Sequence, residues 1–329
     1  MNAGLQLRDV VITFRGGAGV ASVQAVQGVS FTLADGEILG LVGESGCGKT
    51  TIARAILGLV PLVRGSVEWQ GRRIDALPRK KFRPLRKDLQ LVFQDPGACL
   101  DPRMTIAESV AEPIRALMPD LAPAERSRRA RESLADVGVG EAIAARFPHQ
   151  LSGGQLQRAV IARALVVEPR LVVCDEPVSA LDLSIQGQIV NLIGRIRRER
   201  GLACLFISHN LAIVAHLAER VLVMYQGRIV ESAPRGPLVE SPLHPYTRLL
   251  IDSIPEADPD RARRMLQRRS SAPPRRPDAN SPGCPYAARC PLAVDRCATL
   301  PPPLREFSRG RLVACHRADE WRDGLAAAN

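Results

Sequence analysis

Apolar positions along the chain follow two rhythms. Leu5 to Phe14 alternates and is rich in branched residues, which predicts a strand. Glu37 to Leu41, Leu171 to Cys174 and Leu202 to Ile207 are short apolar runs of the kind buried in a parallel sheet. Thr51 to Leu59 and Leu156 to Val167 carry helical spacing, and Met104 to Arg146 reads as a helical insertion laced with Arg/Glu pairs. Strands alternating with helices predict an α/β fold. The pattern breaks at Pro255. The last 75 residues hold 11 of the 26 prolines and four of the eight cysteines, too many breakers for regular helix. They read as a loop-rich module joined through a linker from Ser270 to Pro282.

A length of 329 residues suits about two domains. The longest apolar run, Ala55 to Val63, has nine residues and contains Pro61, well short of the 18 or so a bilayer span needs. Met1 to Gly19 shows no apolar signal core, so the expected location is cytoplasmic. The net charge of +11 raises nucleic acid as a partner. Aromatic residues are only 4% of the chain, which leaves little for a base-stacking platform, so the expectation is no nucleic acid.

Gly43, Glu44, Ser45, Gly46, Cys47, Gly48, Lys49 and Thr50 spell G-x-x-x-x-G-K-[ST], between a predicted strand and the helix opening at Thr51. Glycines let backbone N–H groups turn inward around phosphate oxygens, and the helix N-terminus adds partial positive charge. In such a loop Lys49 reaches the β- and γ-phosphates and the Thr50 hydroxyl holds Mg²⁺. Cys47 is either a thiol activated by the helix N-terminus or a buried, inert one.

Four apolar residues then lead into Asp175 and Glu176. Asp175 is placed to bind Mg²⁺ as the second half of the phosphate site. Glu176, at the strand tip, can polarise an attacking water.

Leu151-Ser152-Gly153-Gly154-Gln155 stands just before a predicted helix, with Ser152 23 residues before Asp175. With these residues the chain resembles the ATP-binding cassette (ABC) ATPases, whose signature sequence this is. The resemblance implies a P-loop NTPase cassette: a RecA-like core sheet plus a helical subdomain at about 100–165. It implies ATP and Mg²⁺ as ligands. Ser152, Gly153, Gly154 and Gln155 would be presented to the γ-phosphate held by an opposite subunit. Gln94, in Val92-Phe93-Gln94-Asp95-Pro96, is similar to the Q-loop glutamine that meets Mg²⁺ and the attacking water. Ser179-Ala180-Leu181-Asp182 resembles the D-loop at the dimer interface, and His209 matches the switch histidine. Phe14 is placed to stack on adenine. Leu156 departs from the polar residue many relatives carry there.

Ser241 to Leu250, containing His244-Pro245-Tyr246-Thr247, resembles the ATPase subunits of dipeptide, oligopeptide and nickel importers. Residues 1–254 would then be the cassette and 255–329 the subfamily's C-terminal module. The subfamily implies two ATPase subunits of the same or different sequence, transmembrane permease subunits, a solute-binding protein acting through the permease, and a place on the cytoplasmic face of the membrane. The rival reading is a non-transport ABC ATPase acting on nucleic acid or the ribosome. Leu151 comes only 57 positions after Gln94, too few for the long coiled coil of the repair type, and there is one cassette where ribosomal types carry two.

Cys284, Cys290, Cys297 and Cys315 fall within 46 residues of the C-terminus. Disulfides are disfavoured in a reducing compartment. The expectation is a four-thiolate site for a [4Fe–4S] cluster or zinc, with unligated thiols as the alternative. The resemblance favours the cluster, because some members of the subfamily carry one in this tail.

Overall fold

The computed structural model describes residues 3–16, 22–254 and 282–320. Residues 270–281 of the expected linker lie outside these. The chain divides into two compact units, Met1–Leu39 with Gly48–Ser208 and Gly40–Cys47 with His209–Asn329.

The first unit opens with β1 (Ala3–Phe14) and β2 (Val23–Ala34), an antiparallel pair. Strand β3 (Ile38–Val42) is buried at every position and begins in this unit. Helix α1 (Lys49–Ile56) starts from Gly48, whose φ of 106° is open to glycine and strained for other residues. Strand β4 (Arg64–Trp69) pairs with the other edge of β1 and turns into β5 (Arg72–Arg73) through Gln70 and Gly71. Both turn residues have positive φ, the requirement of a tight hairpin. The four strands run β2-β1-β4-β5 around Leu5, Leu7, Ile12 and Leu33, none more than 1% exposed.

Helix α2 (Arg79–Phe82) then leads to β6 (Leu89–Val92). The helical insertion comprises α3 (Ile106–Leu117), α4 (Pro123–Asp136) and α5 (Glu141–Ala144). Thr105 and Glu108 close a reciprocal capping box that starts α3. Helix α6 (Gly153–Leu165) is tied to α4 by the Ser133 hydroxyl, which donates to Ala162 O at 2.8 Å. Strand β7 (Leu171–Asp175), helix α7 (Leu183–Arg200) and strand β8 (Ala203–Ser208) complete the unit. Strand β7 lies between β6 and β8, parallel to both, and its five residues are all buried. A strand covered on both faces reads as a near-continuous apolar run, which is how Leu171 to Cys174 could be located.

The second unit contains helix α8 (Leu211–Leu217) and the hairpin β9 (Arg220–Tyr225) and β10 (Arg228–Pro234), turned through Gln226 and Gly227 at positive φ. Short helix α9 (Arg235–Glu240) and helix α10 (Pro245–Asp252) follow. Past residue 281 come a short helix (Asp295–Thr299), then β11 (Arg305–Ser308) and β12 (Arg311–Val313). Strand β12 pairs with β10, giving the order β9-β10-β12-β11.

The tail is therefore built into the sheet of the second unit and is no separate cysteine- and proline-rich module. The physical reason lies in Glu231, 0% exposed on β10. Its carboxylate accepts the Leu243 and His244 N–H groups, each at 2.9 Å, and the Arg311 guanidinium stands 3.8 Å away. A carboxylate so buried is costly unless it is bonded, and the tail supplies the cation. Leu243, Val313 and Ala318 form a small apolar core beside it. Among the described residues no helix is long and apolar enough to cross a membrane.

Candidate active site

Three elements of the first unit bring five expected residues together. Helix α1 carries Lys49 and Thr50 in its first turn. Strand β7 ends at Asp175, and Glu176 follows it. Gln94 lies two residues past β6. The Thr50 hydroxyl donates to Asp175 Oδ1 at 3.1 Å. Lys49 Nζ lies 3.8 Å from Glu176 Oε1, and Gln94 Nε2 reaches Glu176 Oε2 at 3.4 Å. Glu176 thus has one carboxylate oxygen facing an ammonium and the other facing an amide.

Burial sharpens these contacts. The Lys49 side chain is 4% exposed and that of Glu176 11%. Burial pushes the Asp175 carboxyl above its ordinary range, against the Thr50 hydrogen bond and the charges of Lys49 and Arg54, which pull it down. Glu176 has a φ of 49°, in the left-handed region that non-glycine residues rarely occupy. Its N–H donates to Ile207 O at 3.0 Å, and its carbonyl accepts from the Ser179 hydroxyl at 3.1 Å. Such a backbone persists only where its surroundings over-determine it, and here both backbone groups are tied.

The Ser152 segment is also in the first unit. Ser152 caps α6, its Oγ accepting from Gln155 N–H at 3.4 Å while Gln155 Oε1 accepts from Ser152 N–H at 3.1 Å. Helix α6 therefore begins at Gly153, three residues earlier than its apolar spacing suggests. A Cβ on Gly153 would lie 3.2 Å from Leu181 Cδ2, and one on Gly154 only 2.8 Å from Ile185 Cγ2. The glycines let α6 approach the Leu181 turn and α7. Asp182 is the N-cap residue of α7. Phe14, at the end of β1, is 44% exposed, and Thr51 lies in the first turn of α1.

Gly43, Glu44, Ser45, Gly46 and Cys47 belong to the second unit. A Cβ on Gly43 would fall 2.1 Å from Met224 O, so only glycine fits against β9. Gly46 has open space but a φ of 80°, so glycine is needed there for its backbone. Cys47 is 6% exposed, a buried thiol. His209 is exposed, immediately before the Asn210 cap of α8. Two residues that spacing did not single out meet the loop at Glu44: Tyr246 and Arg289. They stand 202 and 245 positions away, and the only sequence signal was the His-Pro-Tyr-Thr stretch.

The expected iron–sulfur or zinc site is overturned. Among the described residues no group of three or more His, Cys, Asp or Glu side chains could hold a metal ion, and Cys284, Cys290, Cys297 and Cys315 form no such group. Burial pushes the Cys290 and Cys315 thiols up to about 11 and Cys284 upward as well, which favours the neutral thiol over the thiolate a metal requires. Nor does the segment need metal for a core. Tyr286 packs on Tyr225 and Tyr246, and Cys284 N–H closes on Cys297 O at 2.8 Å. His316 places Nε2 2.9 Å from Leu300 O.

Residues 26–179 match the ABC transporter family and residues 230–297 the oligopeptide/dipeptide transporter C-terminal region. The chain is 45% identical over 302 residues to the oligopeptide transport ATP-binding protein OppF of Escherichia coli (strain K12), covering 91% of this chain and 89% of that one. The chain belongs to the ABC transporter ATP-binding family. This ABC ATPase is also 47% identical over 314 residues to a putative peptide import ATP-binding protein of Brucella abortus (strain 2308), covering 94% of this chain and 91% of the relative. Among solved structures it is similar to the dimeric post-hydrolysis state of the ATP-binding cassette MJ0796 bound to ADP and Pi. That match has a TM-score of 0.65 and 28% identity, over 70% of this chain and 98% of the other.

Proposed function

We propose that this chain is the ATP-hydrolysing subunit of an importer of di- or oligopeptides, working on the cytoplasmic face of the membrane with separate permease subunits. The observation that carries the reading is the Glu176 carboxylate held between Lys49 Nζ and Gln94 Nε2, beside the Thr50–Asp175 pair. An ammonium, a hydroxyl and carboxylates at a helix N-terminus suit a nucleoside triphosphate with its divalent cation. The relatives' names supply the cargo class, and the C-terminal region match is to peptide transporters.

In this reading Gly43 to Thr51 cradle the phosphates and Lys49 binds the β- and γ-phosphates. Magnesium arriving with ATP supplies charge neutralisation at the phosphate oxygens. The donor set fits it, since Thr50 Oγ1 and Asp175 Oδ1 are hard oxygen ligands already side by side. Gln94 supports the cation and the attacking water. Glu176 accepts a proton from that water and His209 assists. Phe14 stacks on the base. Ser152, Gly153, Gly154 and Gln155 serve the nucleotide of a second ATPase subunit, with Asp182 at the interface between the two. ATP occupancy then favours the closed dimer, and hydrolysis releases it to drive alternating access in the permease. A solute-binding protein delivers the peptide. Residues 1–254 act as the cassette and the remainder as its C-terminal extension.

The test is reconstitution of the chain with its permease and binding-protein partners in vesicles. Uptake of a labelled oligopeptide should require ATP on the side bearing this subunit and should stop with Lys49→Ala. ATP-independent uptake, or hydrolysis indifferent to permease and peptide, would contradict the reading.

A further inference from the structure

Two residues of the C-terminal region converge on one residue of the phosphate loop, all within the second unit. The Glu44 backbone N–H donates to the Tyr246 hydroxyl at 2.9 Å. Both Glu44 carboxylate oxygens accept from Arg289 Nη1, each at 2.9 Å. Arg289 Nη1 also lies 3.4 Å from the Tyr225 hydroxyl.

The two partners are themselves held. Tyr246 is 0% exposed, near the start of α10, and its N–H donates to His244 Nδ1 at 3.1 Å. Its ring centroid lies 4.6 Å from that of Tyr225 and 5.5 Å from that of Tyr286. Tyr286 stands edge-on to Tyr225 at 5.3 Å, so the three rings form one buried cluster. The Arg289 guanidinium lies 5.9 Å from the Tyr225 ring and 5.8 Å from the Tyr286 ring, within cation–π range of both. Beneath the cluster, Glu231 anchors the start of α10 through Leu243 and His244 N–H.

The charge arrangement has a consequence for an anionic ligand. Glu44 puts a carboxylate, 43% exposed, at the second position of a loop whose other features suit phosphate. A free carboxylate there repels a triphosphate. Arg289 draws it aside and offsets its charge, while Tyr246 takes the Glu44 N–H and fixes the direction of the backbone. We propose that Arg289 and Tyr246 are positioning residues that hold Glu44 and thereby set the affinity of the phosphate loop for ATP, making the C-terminal region part of the nucleotide site's support. This rests on the ATPase reading given above.

The test uses the full-length chain, with Mg-ATP titrations read by nucleotide fluorescence and by phosphate release. Arg289→Ala should raise both Kd and KM for ATP by about twofold to fivefold, the range of a partly exposed ion pair, with kcat unchanged within about twofold. Arg289→Lys should recover part of the affinity, since the charge returns without the planar fork. Tyr246→Phe, which keeps the ring in its cluster, should also raise KM with kcat held. In a Glu44→Gln background Arg289→Ala should no longer change KM, the coupling expected if Arg289 acts through Glu44. An active wild type whose KM is unmoved by Arg289→Ala overturns the proposal. So does an equal rise in the Glu44→Gln background, or a lower melting temperature with unchanged KM, which would mark a purely structural role. A wild type that binds and hydrolyses no ATP would overturn both this proposal and the ATPase reading.

Discussion

Lys49 Nζ lies 3.8 Å from Glu176 Oε1, with the lysine side chain 4% exposed. An ammonium this buried is stabilised by its anionic neighbour. Lys49→Ala should therefore weaken Mg-ATP binding and lower phosphate release by at least about a hundredfold. Lys49→Gln should fare no better, since it keeps a polar end but neither the reach nor the charge. Turnover within tenfold of wild type in either variant, measured at saturating Mg-ATP, would remove Lys49 from the site.

The Thr50–Asp175 hydrogen bond makes a separate prediction about the cation. Asp175→Asn keeps an acceptor for the Thr50 hydroxyl but loses the charge proposed to hold Mg²⁺. The Mg²⁺ concentration giving half-maximal hydrolysis should rise by at least about tenfold. Burial raises the Asp175 pKa, so protons should compete with Mg²⁺ at a higher pH than at an ordinary carboxylate. In wild type the Mg²⁺ requirement should thus increase as pH falls, and this dependence should flatten in Asp175→Asn. An unchanged Mg²⁺ midpoint in the variant contradicts the assignment.

Gly154 is a packing prediction. A Cβ there would meet Ile185 Cγ2 at 2.8 Å, and that methyl branches from the β-carbon with little freedom to withdraw. Gly154→Ala should destabilise the chain by about 1–3 kcal/mol, the usual range for overpacking. Adding Ile185→Ala, which removes the obstructing methyl, should recover part of the Gly154→Ala cost. Chemical denaturation of the single and double variants measures both. Equal midpoints for wild type and Gly154→Ala would show that α6 and α7 have room to part.

His244 sets a pH dependence. It is 1% exposed, burial pushes its pKa down to about 3, and its Nδ1 accepts the Tyr246 N–H. In the unfolded chain the imidazole titrates near its ordinary value of about 6.5. Between those values the unfolded state binds a proton that the folded state does not, so stability rises with pH there. It is lost as pH falls below about 6.5, by up to ~1.4 kcal/mol per pH unit. His244→Asn retains a capping acceptor without the titration. Urea midpoints from pH 7 to pH 5 should fall more steeply for wild type than for the variant, and parallel slopes would contradict the burial of a neutral histidine.

Much of the first unit was legible because local chemistry forces it. Leu171 to Cys174 of β7 had to be apolar because both faces of the strand are covered, and Gly48, Lys49 and Thr50 had to follow a strand to open a helix. The left-handed backbone of Glu176 was not legible, because it depends on Ile207 and Ser179 closing on it. Nor was the contact of Tyr246 and Arg289 with Glu44, since pairing across more than 200 residues leaves no local pattern. The four tail cysteines misled for a related reason. Spacing counts residues but says nothing about which way thiols point, and a segment rich in proline found its core in Tyr286 and in pairing with β10. Helix α6 began early because a reciprocal Ser152–Gln155 cap starts a helix that apolar spacing alone does not mark.

In the proposed mechanism ATP hydrolysis turns on the Glu176 carboxylate, held by Lys49 and Gln94. Glu176→Gln tests it most directly, since glutamine keeps shape and hydrogen bonding but cannot take a proton from water. Nucleotide occupancy and single-turnover phosphate release should be measured side by side on wild type and variant. The expected result is retained Mg-ATP binding, accumulation of an ATP-bound dimer, and phosphate release slowed by about 10²–10⁴-fold. Phosphate release within a few-fold of wild type, with ATP bound normally, would contradict it.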